Sequence, residues 1–209
     1  MTGVLLSVLL AVTLTRAASG TSTDFGAAPS VNTRAESVTS AEEKPSPSQT
    51  EPDDAPMSKI PAPTFMHIPR LGLSAPIDPV GVAPDGQVVV PEDPDRVGWY
   101  RFSPPPGSSA GSSVIVGHVD ATGRGLGVLA ALSKVEKGDG VAVERPGGTA
   151  VTYRIVSRRT VAKDALGESE AFRRDGPHLL TLITCAAPYV RERGGYQNNL
   201  VVTAVAVPR

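Results

Sequence analysis

Short apolar runs separated by glycine, proline and aspartate make up residues 65–207, and this pattern most restricts the possible folds. The runs have the length of strands and are rich in Val, Ile and Thr, residue types that favour β-structure. Within one run, Tyr153 and Ile155 alternate with Arg154, which is the period-two pattern of a half-buried strand. The predicted strands are Phe65–Ile68, Ile77–Val82, Gln87–Val90, Val97–Phe102, Ser113–Val119, Val141–Glu144, Ala150–Thr160, Leu179–Thr184 and Leu200–Val207.

Turn and helix signals complete the prediction of the fold class. Pro146–Gly148 predicts a hairpin turn between two of the runs. Only Leu126–Leu132 and Lys163–Ala171 favour short helices. We therefore predict a mainly β domain, either a barrel or a sandwich, with minor helices.

An apolar segment stands at the start of the chain. Val4–Leu14 is too short for a comfortable bilayer span, which needs roughly 20 apolar residues. It has the length of a signal-peptide core, and Ala17–Gly20 supplies small residues for a cleavage site. Residues 1–18 are therefore predicted to be a signal peptide or a retained membrane anchor. Either role places the rest of the chain outside the cytoplasm, membrane-anchored or secreted.

Residues 19–63 have the composition of a disordered linker. They are rich in Ser, Thr, Pro, Ala and acidic residues and contain almost no large apolar side chains, so they cannot bury enough surface to offset the entropy of ordering. Prolines bias the second half toward extended conformations. We predict a tether that contributes no group to the chemistry, followed by a single domain at 64–209.

The charge distribution bears on possible partners. The chain has a net charge of −1, and the excess of acidic residues lies in the linker. The domain is mildly basic, without the clustered Lys/Arg runs and interleaved aromatics of a nucleic-acid surface. The sequence therefore argues against nucleic-acid binding.

Cys185 is the single cysteine of the chain and ends the strand-like run Leu179–Cys185. It has no partner for an internal disulfide, so its presence in an exported protein needs another explanation. The run Ser113–His118 ends in a histidine in the same manner. One hypothesis is a thiol nucleophile with an imidazole that transfers its proton. The alternative is that Cys185 is a small buried hydrophobic residue.

The order of these motifs resembles the sortases, and more closely the actinobacterial class F sortases. Any one matching stretch is weak, but their joint order over residues 65–207 is specific. The matching stretches are His67–Gly72, Val97–Phe102, Val114–Asp120, Leu182–Cys185, Tyr196–Asn199 and Leu200–Val202.

This resemblance implies an eight-stranded β-barrel and a cysteine transpeptidase that uses no cofactor. Such enzymes cleave a C-terminal sorting signal similar to Leu-Pro-x-Thr-Gly and hold the cleaved protein as a thioester. They then pass it to an amine, commonly that of a cell-wall precursor. The implied partners are thus secreted proteins with sorting signals and an amine acceptor, with the membrane as a further partner if the leader is retained.

The resemblance also implies roles for particular residues. Cys185 would attack the signal, and His118 would protonate the departing amine and later deprotonate the incoming one. An arginine would stabilise the oxyanion or position the signal. Arg191 is favoured for this role and Arg193 is the alternative, since Asn198 and Asn199 stand where many sortases carry their arginine.

Three further residues are predicted to bind the substrate. Asp120 would orient the substrate or the histidine, or else tie down a turn. Thr184 would contact the signal, or else only continue the strand. Asn199 is a candidate oxyanion donor if neither arginine acts. No cluster of His, Cys or acidic residues has metal-ligand spacing, so no metal site is predicted.

Other functions stay open at this point. A cell-wall cysteine hydrolase is disfavoured because such enzymes usually place the cysteine before the histidine. A secreted β-barrel binding module would have a buried, unreactive thiol. A degenerate sortase that binds signals without turnover is compatible with Ala186 and Ala187, which replace the usual glycine pair after the cysteine.

Overall fold

A closed barrel of eight strands forms the body of the protein, here a computed structural model that describes residues 24–29 and 60–208. The strands follow one another around the barrel in the order β1-β2-β3-β4-β9-β10-β8-β7, and β5 and β6 form a separate two-stranded ribbon. The strands are β1 (Phe65–Ile68), β2 (Leu73–Val80), β3 (Val97–Tyr100), β4 (Ser112–Val116), β5 (Asp120–Ala121), β6 (Gly125–Leu126), β7 (Gly140–Arg145), β8 (Thr149–Ala162), β9 (Leu179–Val190) and β10 (Gly195–Ala206).

The helical content of the described residues consists of short 3₁₀ segments. They are Pro69–Leu71, Val128–Lys134, Glu170–Phe172 and Arg191–Arg193. The predicted mainly β fold with few short helices is confirmed. The predicted hairpin at Pro146–Gly148 also forms, because Gly147 and Gly148 adopt positive φ angles of 85° and 75° and join β7 to β8.

Three predicted elements differ from the structure. The predicted strand Leu179–Thr184 is only the first half of β9, which continues through Cys185 to Val190 because it still pairs with β10 after its pairing with β4 ends. Gln87–Val90 is not a strand and has only an isolated bridge between Val82 and Val88, because its side chains pack on the barrel while its backbone lies outside the sheet. Lys163–Ala171 is mostly turns that end at the 3₁₀ segment Glu170–Phe172.

Most strand neighbours in the barrel are antiparallel, but two pairs are parallel. β2 runs parallel to β3, and β4 runs parallel to β9. Parallel strands cannot be joined by a tight hairpin, so a long connection separates β4 from β9 in the sequence. The parallel β4–β9 pair brings together segments that are distant along the chain.

The strands bury apolar side chains on both faces. The interior holds the main core, in which Met66, Ile115, Tyr153 and Leu182 have no exposed surface. A second buried cluster lies on the outer face of the sheet formed by β4, β9, β10 and β8. Its buried members are Val80, Val114, Val116, Ala171, Ile183 and Val201. The connection after β2 and the connection between β8 and β9 cover this outer face.

Part of the predicted linker lies against the barrel. β7 pairs with β8 only as far as Arg154, so the rest of that edge of β8 is open to another backbone. Phe25 covers it: its N–H donates to the Arg158 carbonyl and its carbonyl accepts from the Arg158 N–H, both at 2.9 Å. The Asp24 carboxylate accepts from the backbone N–H of Thr160 at 2.9 Å and from its hydroxyl at 3.1 Å.

Two side-chain contacts extend this attachment. The Arg158 guanidinium carbon lies 5.1 Å from the centre of the Phe25 ring. Further along, the Pro29 carbonyl accepts from the Arg173 guanidinium at 2.8 Å. Residues 24–29 of the predicted linker therefore bind the barrel, while the remaining linker residues up to 59 and the predicted leader at 1–18 lie outside the described residues. No helix within 24–29 and 60–208 has the length and apolar character to cross a membrane.

Replacing Phe25 with alanine should measure what this attachment contributes to stability. Phe25→Ala loses the ring–guanidinium contact and partly buried apolar surface, so the free energy of unfolding should fall by about 1–2 kcal/mol. Urea unfolding of the full chain measures this change. Leu126→Ala is the control, because Leu126 is 76% exposed and its loss should change stability little. Equal unfolding midpoints for Phe25→Ala and the parent protein would show that the segment does not stabilise the barrel.

Candidate active site

The parallel pairing of β4 with β9 brings His118 and Cys185 to the same edge of the sheet. Val116 stands opposite Ile183, and each of the two candidate residues lies two positions further along its chain. The Gly117 N–H donates to the Ile183 carbonyl at 3.2 Å, which continues the pairing beyond the end of β4. Side chains two residues apart in a strand share a face. Val116 and Ile183 belong to the outer cluster, so Cys185 lies on the outer face of β9. His118 follows two residues after the last residue of β4.

Cys185 lines a cavity of about 480 Å³ on this outer face. The floor comes from residues of β4, β9 and β10. One wall is the connection after β2 and the other is the start of the β8–β9 connection. The apolar lining residues are Val88, Val90, Val116, Leu166, Phe172 and Ile183. The polar residues that line the cavity with Cys185 are Gln87, Lys163, Asp164, Thr184 and Asn199.

The environment of the thiol disfavours its ionised form. Cys185 is only partly buried, yet burial raises the pKa of its thiol. The positive charge of Lys163 opposes this and lowers the pKa, while the negative charge of Asp120 raises it further. The resting thiol is therefore mostly protonated at neutral pH, and a proton acceptor is needed before it can act as a nucleophile.

His118 is held by three contacts. Its carbonyl accepts from the Leu129 N–H at 3.2 Å, and its ring Nε2 lies 2.9 Å from the Pro91 carbonyl oxygen. Gly127 packs against it so closely that an added Cβ would lie 2.5 Å from the His118 carbonyl oxygen. Because a carbonyl only accepts, Nε2 carries the hydrogen in this arrangement. In the neutral ring Nδ1 is then the proton acceptor.

Asp120 lies at the start of β5 and contacts β10. Its carboxylate accepts a short hydrogen bond from the hydroxyl of Tyr196 in β10. This hydrogen bond raises the pKa of Tyr196 to about 12. Asp120 therefore ties the β5–β6 ribbon to β10 and places a negative charge near the thiol. Its role in orienting the substrate or the histidine stays a prediction.

Thr184 and Asn199 occupy different positions relative to the cavity. The Thr184 hydroxyl is buried and donates to the Gly117 carbonyl at 2.9 Å, which fastens β9 to the end of β4. Asn199 stands directly opposite Cys185 in the β9–β10 pairing and lines the cavity beside it. Of the two, only Asn199 has a side chain on the cavity face.

Both candidate arginines lie away from the cavity lining. Arg191 and Arg193 occupy the 3₁₀ segment that joins β9 to β10, and both are exposed. Neither is among the residues that line the cavity. Cys185 and Asn199 lie within β9 and β10, while His118 follows the end of β4 and Asp120 starts β5. Of these four residues, Cys185 and Asn199 line the cavity, and His118 and Asp120 do not. The arginines lie on the connection between β9 and β10.

Several contributors to the site carry no recognisable sequence motif. Lys163, Asp164 and the Pro91 carbonyl reach the site from connections whose path depends on tertiary packing. Gly127 is needed only because another backbone passes close to it. The sequence held one signal for Lys163: it follows Val161 by two residues, which is the spacing of side chains on one face of a strand. Among residues 24–29 and 60–208, no group of three or more His, Cys, Asp or Glu side chains is arranged to hold a metal ion.

A closed β-barrel with a thiol on one strand and an imidazole just beyond the end of the parallel neighbouring strand is a framework that suits a cysteine-dependent enzyme. The sequence model of the Sortase domain family matches residues 66–207 of this chain. The chain therefore belongs to the sortase family, whose members are cysteine transpeptidases.

Solved structures with the same fold are class C sortases. Sortase C1 of Streptococcus agalactiae superposes with a TM-score of 0.54 at 24% identity, covering 70% of this chain and 67% of that one. Sortase C-1 of Actinomyces oris gives 0.52 at 24% identity, with 70% and 72% covered. Sortase C2 of Group B Streptococcus Pilus Island 1 gives 0.52 at 25% identity, with 69% and 73% covered. Comparison with curated proteins gave no match.

The ionisation of the thiol can be followed directly because the chain has one cysteine. Since burial raises the pKa of Cys185, alkylation by iodoacetamide should be slower at pH 7 than for an unstructured cysteine. Its rate should continue to rise above the pH at which an ordinary thiol is fully ionised. The same protein alkylated in urea is the control. If the alkylation rate depends on pH in the same way in the folded and the unfolded protein, the fold does not change the pKa of the thiol.

Proposed function

We propose that this protein cleaves a sorting signal similar to Leu-Pro-x-Thr-Gly through a thioester on Cys185 and transfers the product to an amine. The observation that carries the proposal is the register of the parallel strands β4 and β9, which gives His118 and Cys185 matching positions, with Cys185 in an open cavity that has apolar walls. Cell-wall precursors are the proposed amine acceptors. Secreted proteins with a C-terminal signal are the proposed substrates.

The proposed first half-reaction begins with proton transfer from the thiol to Nδ1 of His118. The sulfur lone pair then forms a bond to the carbonyl carbon of the signal threonine, and the π electrons of the carbonyl move onto its oxygen. When the carbonyl re-forms, the C–N bond breaks and the departing amine takes the proton from His118. The cleaved protein is left as a thioester on Cys185.

The second half-reaction reverses these roles. An incoming amine loses a proton to His118 as its nitrogen bonds to the thioester carbon, and the C–S bond then breaks. A new amide forms and the sulfur regains a proton. His118 suits both directions because an imidazole exchanges protons near neutral pH.

The cavity supports an extended peptide with apolar side chains as the substrate. Its size falls within the usual range for ligand pockets, roughly 300–1,000 Å³. Val88 and Val90 on one wall face Leu166 and Phe172 on the other, so an apolar side chain that enters between them loses contact with water. A Leu-Pro pair ahead of the scissile bond matches this lining. Asn199, across from the thiol, is the proposed contact for the peptide near that bond.

The alternatives raised by the sequence differ in what they require of Cys185. A binding module with an incidental thiol requires a cysteine enclosed in the core, but Cys185 is partly exposed and lines the cavity. A degenerate sortase would bind signals without forming a thioester, which only a turnover measurement can exclude. The class F assignment rests on the sequence stretches given above. We propose class F membership on the ground of these stretches, although the solved structures that share the fold are class C sortases.

Trapping the intermediate tests the proposed chemistry. Incubation of the full chain with a library of sorting-signal peptides should give a mass increase on Cys185 equal to the N-terminal peptide fragment. Cys185→Ala should form no adduct and cleave no peptide, with an unchanged circular dichroism spectrum because the side chain contributes little buried surface. Cleavage at comparable rates in the variant and the parent would overturn the assignment of the nucleophile.

His118→Ala tests proton transfer separately. Loss of a general acid–base group typically costs about 10²–10⁴ in rate, and we expect kcat to fall within that range. His67→Ala is a matched control, since His67 lies on β1 and bonds Glu144 rather than any residue of the cavity. If both variants keep the parent turnover, water or another group transfers the proton.

A further inference from the structure

Lys163 shares the cavity face with Cys185. Cys185 in β9 stands opposite Asn199 in β10, and Asn199 stands opposite Val161 in β8, so these three residues form a row across the sheet. Val161 packs on the outer cluster, which fixes the face on which the row lies. Lys163 follows Val161 by two residues and therefore continues on the same face. It lines the cavity together with Cys185 and Asn199.

The backbone of Lys163 is held in this position. It is the first residue after β8, and its N–H donates to the Gln197 carbonyl in β10 at 3.1 Å. The sheet pairing thus extends one residue beyond the strand. The ammonium group is carried on a long side chain from a fixed point at the mouth of the cavity. A bound peptide can therefore meet this charge without a movement of the backbone.

The charge of Lys163 is not neutralised by an acidic partner. In the part of the chain that the structure describes, its ammonium forms no ion pair with a carboxylate, whereas Arg70, Arg96, Arg124 and Arg173 all do. The other titratable groups near the thiol or in the cavity lining are Asp120, Asp164 and Tyr196, of which the first two are carboxylates. Lys163 is the cation that favours the ionised thiol, and its effect opposes that of Asp120.

We propose that Lys163 stabilises the negative charge that develops at the cavity, first on the Cys185 thiolate and then on the oxyanion of the substrate. The second part of this role rests on the proposed function. When the thiolate bonds to the carbonyl carbon, the π electrons move onto oxygen, and the ammonium lies on the side of the sheet where that oxygen forms. Collapse of the oxyanion returns the electrons to the carbonyl bond and releases the amine with its proton from His118.

This role is the one predicted from the sequence for Arg191, and the two residues can be compared directly. Arg191 is exposed on the connection after β9 and does not line the cavity. An ammonium is a point charge that moves on a flexible stem, so it can follow the charge from sulfur to oxygen. A guanidinium at position 191 has to reach over the rim of the cavity to do the same.

The test uses five full-length variants: Lys163→Met, Lys163→Gln, Lys163→Arg, Arg191→Met and, as a control, Lys137→Met. Lys137 is an exposed lysine in the turn before β7, away from the cavity. Two readouts are measured for each variant, the pH profile of Cys185 alkylation by iodoacetamide and the steady-state cleavage of a sorting-signal peptide. The first requires no transpeptidase activity.

Lys163→Met should shift the alkylation profile to higher pH and lower kcat on the order of a hundredfold, the lower end for loss of one oxyanion donor. KM should change less, because the negative charge on the oxyanion exists only after the thiolate has attacked the substrate. Lys163→Arg should keep most of the parent kcat and an alkylation profile close to that of the parent, since it keeps the positive charge. Lys137→Met should match the parent protein in both readouts, and Arg191→Met should match its alkylation profile.

Two results would overturn the inference. One is an alkylation profile for Lys163→Met that superimposes on that of the parent. The other is a larger loss of kcat in Arg191→Met than in Lys163→Met. If the parent cleaves no peptide at all, the proposed function and the oxyanion role both fail, while the alkylation profile still decides whether Lys163 acts on the thiolate. Lys163→Gln, measured in parallel, guards against an effect peculiar to methionine.

Discussion

The parallel pairing of β4 with β9 is the interaction on which the active site depends. Because both strands run in the same direction, His118 and Cys185 each follow by two residues the last matched pair, Val116 and Ile183. A register slip of one residue would turn Cys185 toward the barrel interior. The buried Thr184 hydroxyl helps to prevent this, since its hydrogen bond to the Gly117 carbonyl joins the two strands just before the reacting residues.

The barrel separates stability from chemistry by using its two faces differently. Its interior is filled by fully buried apolar side chains and holds the strands in place. The outer face of β4, β9, β10 and β8 is apolar as well, but it is covered by irregular connections that leave a cavity over the strand ends. Residues 24–29 bind the open edge of β8 and, through Arg173, the segment that leads out of the cavity wall. Residues 24–29 have the composition of a linker, yet they bind elements that lie next to the cavity.

The electrostatics of the cavity favour a neutral thiol at rest and charge separation only during reaction. Burial and Asp120 raise the pKa of Cys185, and Lys163 acts against them. A neutral thiol resists oxidation better than a permanent thiolate does, because oxidation follows thiolate character. Lys163 lines the same cavity and places a positive charge near the sulfur.

The sequence by itself determined the mainly β class and the hairpin at Pro146–Gly148, and it singled out Cys185 and His118 as candidate site residues. These features follow from local rules, namely strand periodicity, turn chemistry and the rarity of an unpaired cysteine. Tertiary structure alone decided that the Thr184 hydroxyl is buried and bonds the end of β4. It also decided that Arg191 stands outside the cavity lining and that Lys163 belongs to it. It also decided that residues 24–29 attach to β8. The physical reason is that each of these facts depends on the register between strands or on an unfilled edge, and pairing between distant segments leaves no periodic signal in the sequence.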